Sequence, residues 1–112
     1  MKKAFIFGAS GHANVIASII DIKNMEIFFI DIAPTKENII NQDDFFKKYD
    51  NYKDANIYIG IGSNKIRTKI YERLINLDII PSNCIAKSAF VAHDAQLGKG
   101  VVICPGSVVG SK

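Results

Sequence analysis

The spacing of apolar positions changes several times along the chain, and each change predicts an element. Lys3 to Phe7 is a compact run of apolar, β-forming residues, the pattern of a buried strand. Gly8 to Gly11 predicts a turn. From His12 to about Ile22 the apolar residues Val15, Ile16, Ile19 and Ile20 recur at helical spacing. Glu26 to Ile32 predicts a second buried strand with Asp31 at its end, and Pro34 breaks it. Residues 35–55 are polar and less regular, but Phe45, Phe46 and Tyr49 predict one short helix with an aromatic stripe turned to the core. Ile57 to Ile61 predicts a third strand. Asn64 to Leu77 carries Ile66, Ile70, Leu74 and Leu77 on one face, so it predicts a helix, with Ser63 or Asn64 as its N-cap. This order is that of an α/β domain: a small parallel sheet with helices on its faces. Pro81-Ser82 marks its boundary, between Asp78 and Asn83.

Beyond that boundary the period becomes six. An aliphatic residue recurs at Ile85, Val91, Leu97, Ile103 and Val109, and a small one follows at Ala86, Ala92, Gly98, Cys104 and Gly110. A third register holds Ala89, Ala95, Val101 and Ser107. Period six in three registers is the pattern of a hexapeptide-repeat β-helix, in which the aliphatic points into the prism and the small residue turns the corner. The expected organisation is therefore a sheet domain over 1–82 and the first coils of a β-helix over 83–112. Acyltransferases are the commonest users of that prism. A triangular coil takes three hexapeptides, and the stretch after Ile85 offers about one and a half coils, whereas roughly three stacked units are the usual minimum for stability. This predicts a truncated product, or else a natural short form held by association through the open prism end.

Composition narrows the partners. The 112 residues are 48% hydrophobic, enough for a real core, and the net charge is only +3. The lysines are scattered, without the clustered Lys/Arg and aromatics of a nucleic-acid face. Cys84 and Cys104 match no metal or redox spacing, and the position of Cys104 in the repeat predicts a buried free thiol. The apolar run near the N-terminus is too short for a signal peptide, and no segment approaches the roughly 20 apolar residues that span a bilayer. A cytoplasmic protein without a membrane or nucleic-acid partner is expected.

Candidate chemistry gathers at the predicted strand ends. Gly8-Ala9-Ser10-Gly11-His12-Ala13 follows a strand and opens a helix, where glycines let the backbone approach a ligand and free N–H groups face a phosphate. It is an incomplete G-x-G-x-x-G; a tight turn with no ligand is the plain alternative. Asp31 closes the next strand, where a carboxylate can take a ribose hydroxyl. Gly62, Ser63 and Asn64 end the third strand, with Arg67 one turn into the following helix and able to reach a phosphate, or to sit on the helix surface. His12 has two readings, as a ligand contact or as a packing residue. His93 falls at an outward, variable position of a repeat, a surface role. Ligands of open parallel sheets bind beyond the carboxyl ends of the strands, so these groups should share one crevice.

Together these residues resemble the sugar O- and N-acetyltransferases of bacterial glycan and sialic acid pathways, including the acetyltransferase of the bacillosamine pathway. The resemblance covers the whole chain. It rests on the G-A-S-G-H turn at Gly8 to His12, the strand-end Asp31, the stretch from Ile61 to Arg67, and the lead-in to the prism at Ala86 to Ala89. It implies a Rossmann-like domain joined to a left-handed β-helix. It further implies that Gly8, Ala9, Ser10, Gly11, His12, Asp31, Gly62, Ser63, Asn64 and Arg67 hold a nucleotide-linked sugar, with UDP the usual handle. Homotrimers with acetyl-CoA between adjacent prisms are implied for the full-length protein. Ile32 stands where the family often has a second acid. The family's general base lies in a later coil, and neither His12 nor His93 corresponds to it, so no catalytic residue is assigned. The expected function is the substrate-binding portion of an acetyl-CoA-dependent sugar acetyltransferase, inactive alone. The alternatives are a nucleotide-sugar or dinucleotide binding module without chemistry, and an NAD-dependent redox enzyme, against which the incomplete glycine fingerprint and the missing substrate domain both argue.

Overall fold

A computed structural model of the chain describes residues 2–9, 11–20, 25–32 and 39–110. Four strands form one parallel sheet: β1 (Lys2–Phe7), β2 (Met25–Asp31), β3 (Ile39–Asn41) and β4 (Asn56–Ile59), in the order β3-β2-β1-β4. β1 is therefore central, paired in parallel to β2 on one side and β4 on the other. Helix α1 (Gly11–Ile19) follows β1, a short helix α2 (Gln42–Lys47) and a 3-10 turn (Tyr49–Tyr52) precede β4, and α3 (Asn64–Asn76) follows it.

Side chains alternate across a strand, and β1 uses both faces. Ala4 and Ile6 join Ala13, Ile16, Ile20 and Tyr58 in one cluster under α1. Phe5 and Phe7 face the other way, into a cluster with Phe45, Phe46, Ile70 and Leu74 from α2 and α3. The result is three layers, with α1 on one face and α2 and α3 on the other, and β1 buried on both faces except for Lys2 and Lys3. The aromatic stripe expected from the sequence is core, as the rings of Phe7 and Phe45 meet edge to face at 5.3 Å. Burying a phenylalanine of this kind contributes about 2–3 kcal/mol.

Two elements differ from the sequence reading. The stretch read as irregular contains β3, which pairs Phe29–Asp31 with Ile39–Asn41. Asn41 then caps α2, its Oδ1 accepting from the N–H groups of Asp43 and Asp44. The third long strand stops at Ile59 rather than Ile61. Ser63 is the N-cap of α3, accepting from Ile66 N–H. That helix ends with Asp78 at φ 61°, where Ile79 N–H reaches back to the Leu74 carbonyl at 2.9 Å. This left-handed cap, tolerated by Asp, reverses the chain toward the repeats.

In the repeats, two-residue strands β5 (Cys84–Ile85), β6 (Phe90–Val91), β7 (Val102–Ile103) and β8 (Val108–Val109) pair in parallel, β5 with β7 and β6 with β8. Each partner lies 18 residues further along, the step that three six-residue units would make per turn. Side chains tie the layers: Asn83 Oδ1 accepts from Val101 N–H at 2.9 Å, and Ser88 Oγ from Gly106 N–H at 3.0 Å. The fold is thus a Rossmann-like parallel sheet followed by the first coils of a β-helix.

The coil is seated on the α1 layer, where Cys84 and Val102 pack against the cluster beneath α1. By alternation, Ile85 and Ile103 occupy the opposite side of their strands, and Ile103 is buried there. Cys104 corrects the sequence reading: it is exposed, whereas Cys84 is buried. The six-residue period fixes its place at a corner of the coil, but whether that corner is covered depends on α1, which leaves it facing a crevice.

Candidate functional site

The crevice forms where the strand order reverses. The chain leaves β1 for β2 in one direction and reaches β4 on the other side, and the helices that follow β1 and β4 run to opposite faces of the sheet. Three glycines set how closely these turns meet. Gly8 has φ +104°, and a Cβ there would lie 2.6 Å from the Gly60 carbonyl oxygen. A Cβ on Gly60 would lie 2.7 Å from Ala13 Cα in α1. A Cβ on Gly62 would lie 2.7 Å from His12 Nε2. Hydrogen bonds close the same junction: Gly8 N–H donates to Ile30 at 2.7 Å and Gly60 N–H to Phe7 at 2.8 Å.

These contacts separate two meanings of glycine. Gly8 and Gly60 are required by the fold, since their missing side chains let β4 and α1 touch. Gly11 is different: nothing lies within 4 Å of a Cβ built there. No neighbour among the described residues demands glycine at the first residue of α1, so among them that backbone is open to something from outside. The first N–H groups of α1 have no partner within the helix, the arrangement that receives an anion.

The crevice itself, a cavity of ≈ 300 Å³, is lined by His12, Val15, Ile16, Ile59, Gly60, Ile61, Arg67, Val102 and Cys104. Its floor is apolar, His12 and Arg67 supply polarity, and one wall is the coil. The structure thus brings together Gly62, His12 and Arg67. Ser63 is occupied in capping α3, and Asn64 turns to a neighbouring cavity that also touches Arg67. Asp31 ends β2 beside the crevice without lining it; one carboxylate oxygen accepts from Ile32 N–H at 2.7 Å. Ala9 is half-buried in the turn, and Ser10 lies outside the described residues. The apolar wall contributed by Val102 and Cys104 was missing from the sequence reading. Only the packing of the coil on α1 puts it there, and no local motif signals that.

Among the buried titratable groups of this region, Cys84 is 2% exposed, and burial, with Cys104 nearby, pushes its thiol up to about 11. Burial likewise raises the Tyr58 phenol, which accepts a hydrogen bond from Asn56 Nδ2 at 3.3 Å. Both are packing groups on the α1 side. No described helix is long and apolar enough to cross a membrane.

Comparison with known proteins places this architecture. Perosamine N-acetyltransferase from Caulobacter crescentus, as a variant in complex with CoA and GDP-perosamine, superimposes with a TM-score of 0.87 at 22% identity, over 99% of this chain and 55% of that one. The acetyltransferase domain of PglB from Neisseria gonorrhoeae gives 0.84 at 25% identity, over 96% of this chain and 56% of its own. The same domain in complex with acetyl coenzyme A gives 0.80 at 24% identity, over 96% and 55%. The chain therefore spans about half the length of the solved structures it matches. The family model described as the PglD N-terminal domain matches residues 3–74, which take in all of the sheet except Lys2, both glycine turns and most of α3. On that match the chain belongs to the PglD N-terminal domain family.

Proposed function

We propose that this chain is the nucleotide-sugar-binding portion of an acetyl-CoA-dependent sugar acetyltransferase of bacterial glycan biosynthesis. The observation that carries the reading is the crevice at the ends of β1 and β4: an open N-terminal turn of α1, His12 and Arg67 at its polar side, and a wall supplied by the coil. Family membership and the nucleotide-sugar and CoA complexes of the structural neighbours support it.

In this reading residues 1–82 form the binding domain and 83–112 begin the left-handed β-helix. The Gly11 backbone admits the phosphates to the helix terminus, and Asp31, with one carboxylate oxygen free of Ile32 N–H, faces the ribose. His12 and Arg67 hold phosphate oxygens, and the apolar floor excludes water from the sugar. Acetyl transfer belongs to the whole protein, assembled as a trimer in the cytoplasm, with acetyl-CoA as co-substrate. This chain binds and orients the sugar, and no residue of it is assigned to the chemical step.

Calorimetric titration with GDP-perosamine, a UDP-linked amino sugar and NAD tests the proposal. Selective binding of either nucleotide sugar is the expected result, weakened at least tenfold in Gly11→Val by blocked approach to the backbone. Binding of NAD with refusal of both sugars overturns it, and unchanged sugar affinity in a folded Gly11→Val relocates the site.

A further inference from the structure

The carboxyl end of β2 turns an aliphatic side chain out to solvent. Ile30 is 1% exposed, but Ile32, two residues on, is 73% exposed. A lone apolar residue on a surface is ordinary. What sets this one apart is how it is held and where it stands. The Asp31 carboxylate accepts from Ile32 N–H at 2.7 Å, and Asn41 Nδ2 donates to the Ile32 carbonyl at 3.3 Å. Both backbone polar groups of Ile32 are thus bound by neighbouring side chains, and the isoleucine is presented on a fixed turn.

Asn41 extends that frame. Its Oδ1 accepts from the N–H groups of Asp43 and Asp44, so one side chain joins the end of β2 to the start of α2. Asp43 and Asp44 fall in the first turn of that helix, where carboxylates offset the partial positive charge of the terminus. Hydrogen-bonding groups beside Ile32 are therefore engaged within the fold. On the other side, Gly8 N–H donates to the Ile30 carbonyl at 2.7 Å, which ties the end of β2 to the turn that opens α1. A nucleotide with its phosphates at α1 and its ribose at Asp31 carries its base outward along this rim, onto Ile32.

We propose that Ile32 is a platform for the nucleobase and makes the rim indifferent to which base it receives. This deepens the nucleotide-sugar reading above and rests on it for the ligand's identity. An aliphatic side chain touches the face of a base, which purines and pyrimidines share, whereas bases are told apart by hydrogen bonds to their edges. A carboxylate in place of Ile32 would accept from the amino group of guanine and be repelled by the carbonyl oxygens of uracil. An apolar contact discriminates weakly, and a site built to bond a polar edge discriminates strongly. Choice among ligands then passes to the crevice, where the sugar lies.

The test titrates the full chain, Ile32→Ala and Ile32→Asp with GDP, UDP and ribose 5-phosphate, while the amide resonances of residues 31, 32 and 41 are followed. Thermal melts confirm that the variants are folded. In the parent, GDP and UDP should bind within about tenfold of each other. Ile32→Ala should weaken both by about three- to tenfold and leave ribose 5-phosphate unchanged. Ile32→Asp should raise the preference for GDP over UDP by about tenfold, whatever its effect on absolute affinity. A parent preference beyond about a hundredfold overturns the proposal, and so does full affinity for both nucleotides in Ile32→Ala; either result leaves the nucleotide-sugar reading standing. An equal loss for ribose 5-phosphate in Ile32→Ala also overturns it, because the base would not be the group in contact. Refusal of both nucleotides by the folded parent overturns the reading and the platform together.

Discussion

Replacing Gly60 by alanine should destabilise the protein by about 1–2.5 kcal/mol. The added Cβ would stand 2.7 Å from Ala13 Cα, 3.0 Å from Ala13 N and 3.1 Å from Ile16 Cδ1. Ordinary contact begins near 3.4 Å, so α1 must retreat by about 0.7 Å or more from β4. The obstructing atoms are mainly backbone and cannot rotate aside, and overpacking of this type costs roughly 1–3 kcal/mol. Gly60 has no positive φ, so alanine meets no conformational strain, and its stiffer unfolded chain returns about 0.4–1 kcal/mol. Urea denaturation followed by circular dichroism gives the difference directly, and a thermal melt should fall by roughly 5–15 °C. Two controls isolate the cause. Gly62→Ala meets only the tip of the His12 ring, which can swing away, and Gly11→Ala meets nothing within 4 Å. Both should stay within about 0.5–1 kcal/mol of the parent. A Gly60→Ala protein as stable as the parent, or one no less stable than Gly62→Ala, would refute the claim that this contact sets the position of α1.

Three further outcomes follow from the coil and its cysteines. Burial raises the folded Cys84 thiol to about 11, while an unfolded thiol titrates near 8.5–9, so the folded state is favoured fully below about pH 8.5 and progressively less as pH rises from there to about 11. The loss approaches about 2–3 kcal/mol at most, and denaturation midpoints in Cys84→Ala, corrected for the cavity, should lose this alkaline slope. In native thiol labelling, exposed Cys104 should react and Cys84 should wait for unfolding; equal rates would contradict the burial. Asn83→Ala removes the bond to Val101 N–H and should cost about 1 kcal/mol, seen as faster amide exchange at Val101 and unchanged exchange in β1.

Much of the molecule was legible because its signals are local. A run such as Lys3 to Phe7 followed by a glycine turn and a helical stripe needs no distant information to be read as strand, turn and helix, and α3 with its Ser63 cap lies where its periodicity puts it. The six-residue period likewise reports a repeating backbone step. The failures are non-local. The three-residue strand β3 is decided by the free edge of β2, since a segment that short carries no alternation of its own. Gly8 looks like a ligand glycine in sequence, and only its contact with Gly60 reveals a packing role. Cys104 acquires its surroundings from the docking of the coil on the sheet domain, which no spacing within the repeats encodes.

The central position of β1 has a consequence for biosynthesis. Ala4 to Phe7 are among the most deeply buried described residues, yet one partner strand, β4, is translated only about fifty residues later. During that interval a short, apolar, β-prone segment waits with one edge unpaired, the kind of stretch on which nascent chains associate wrongly. Lys2 and Lys3 stand directly before it, both exposed in the finished protein. Their charges serve as gatekeepers, discouraging intermolecular pairing until β4 arrives.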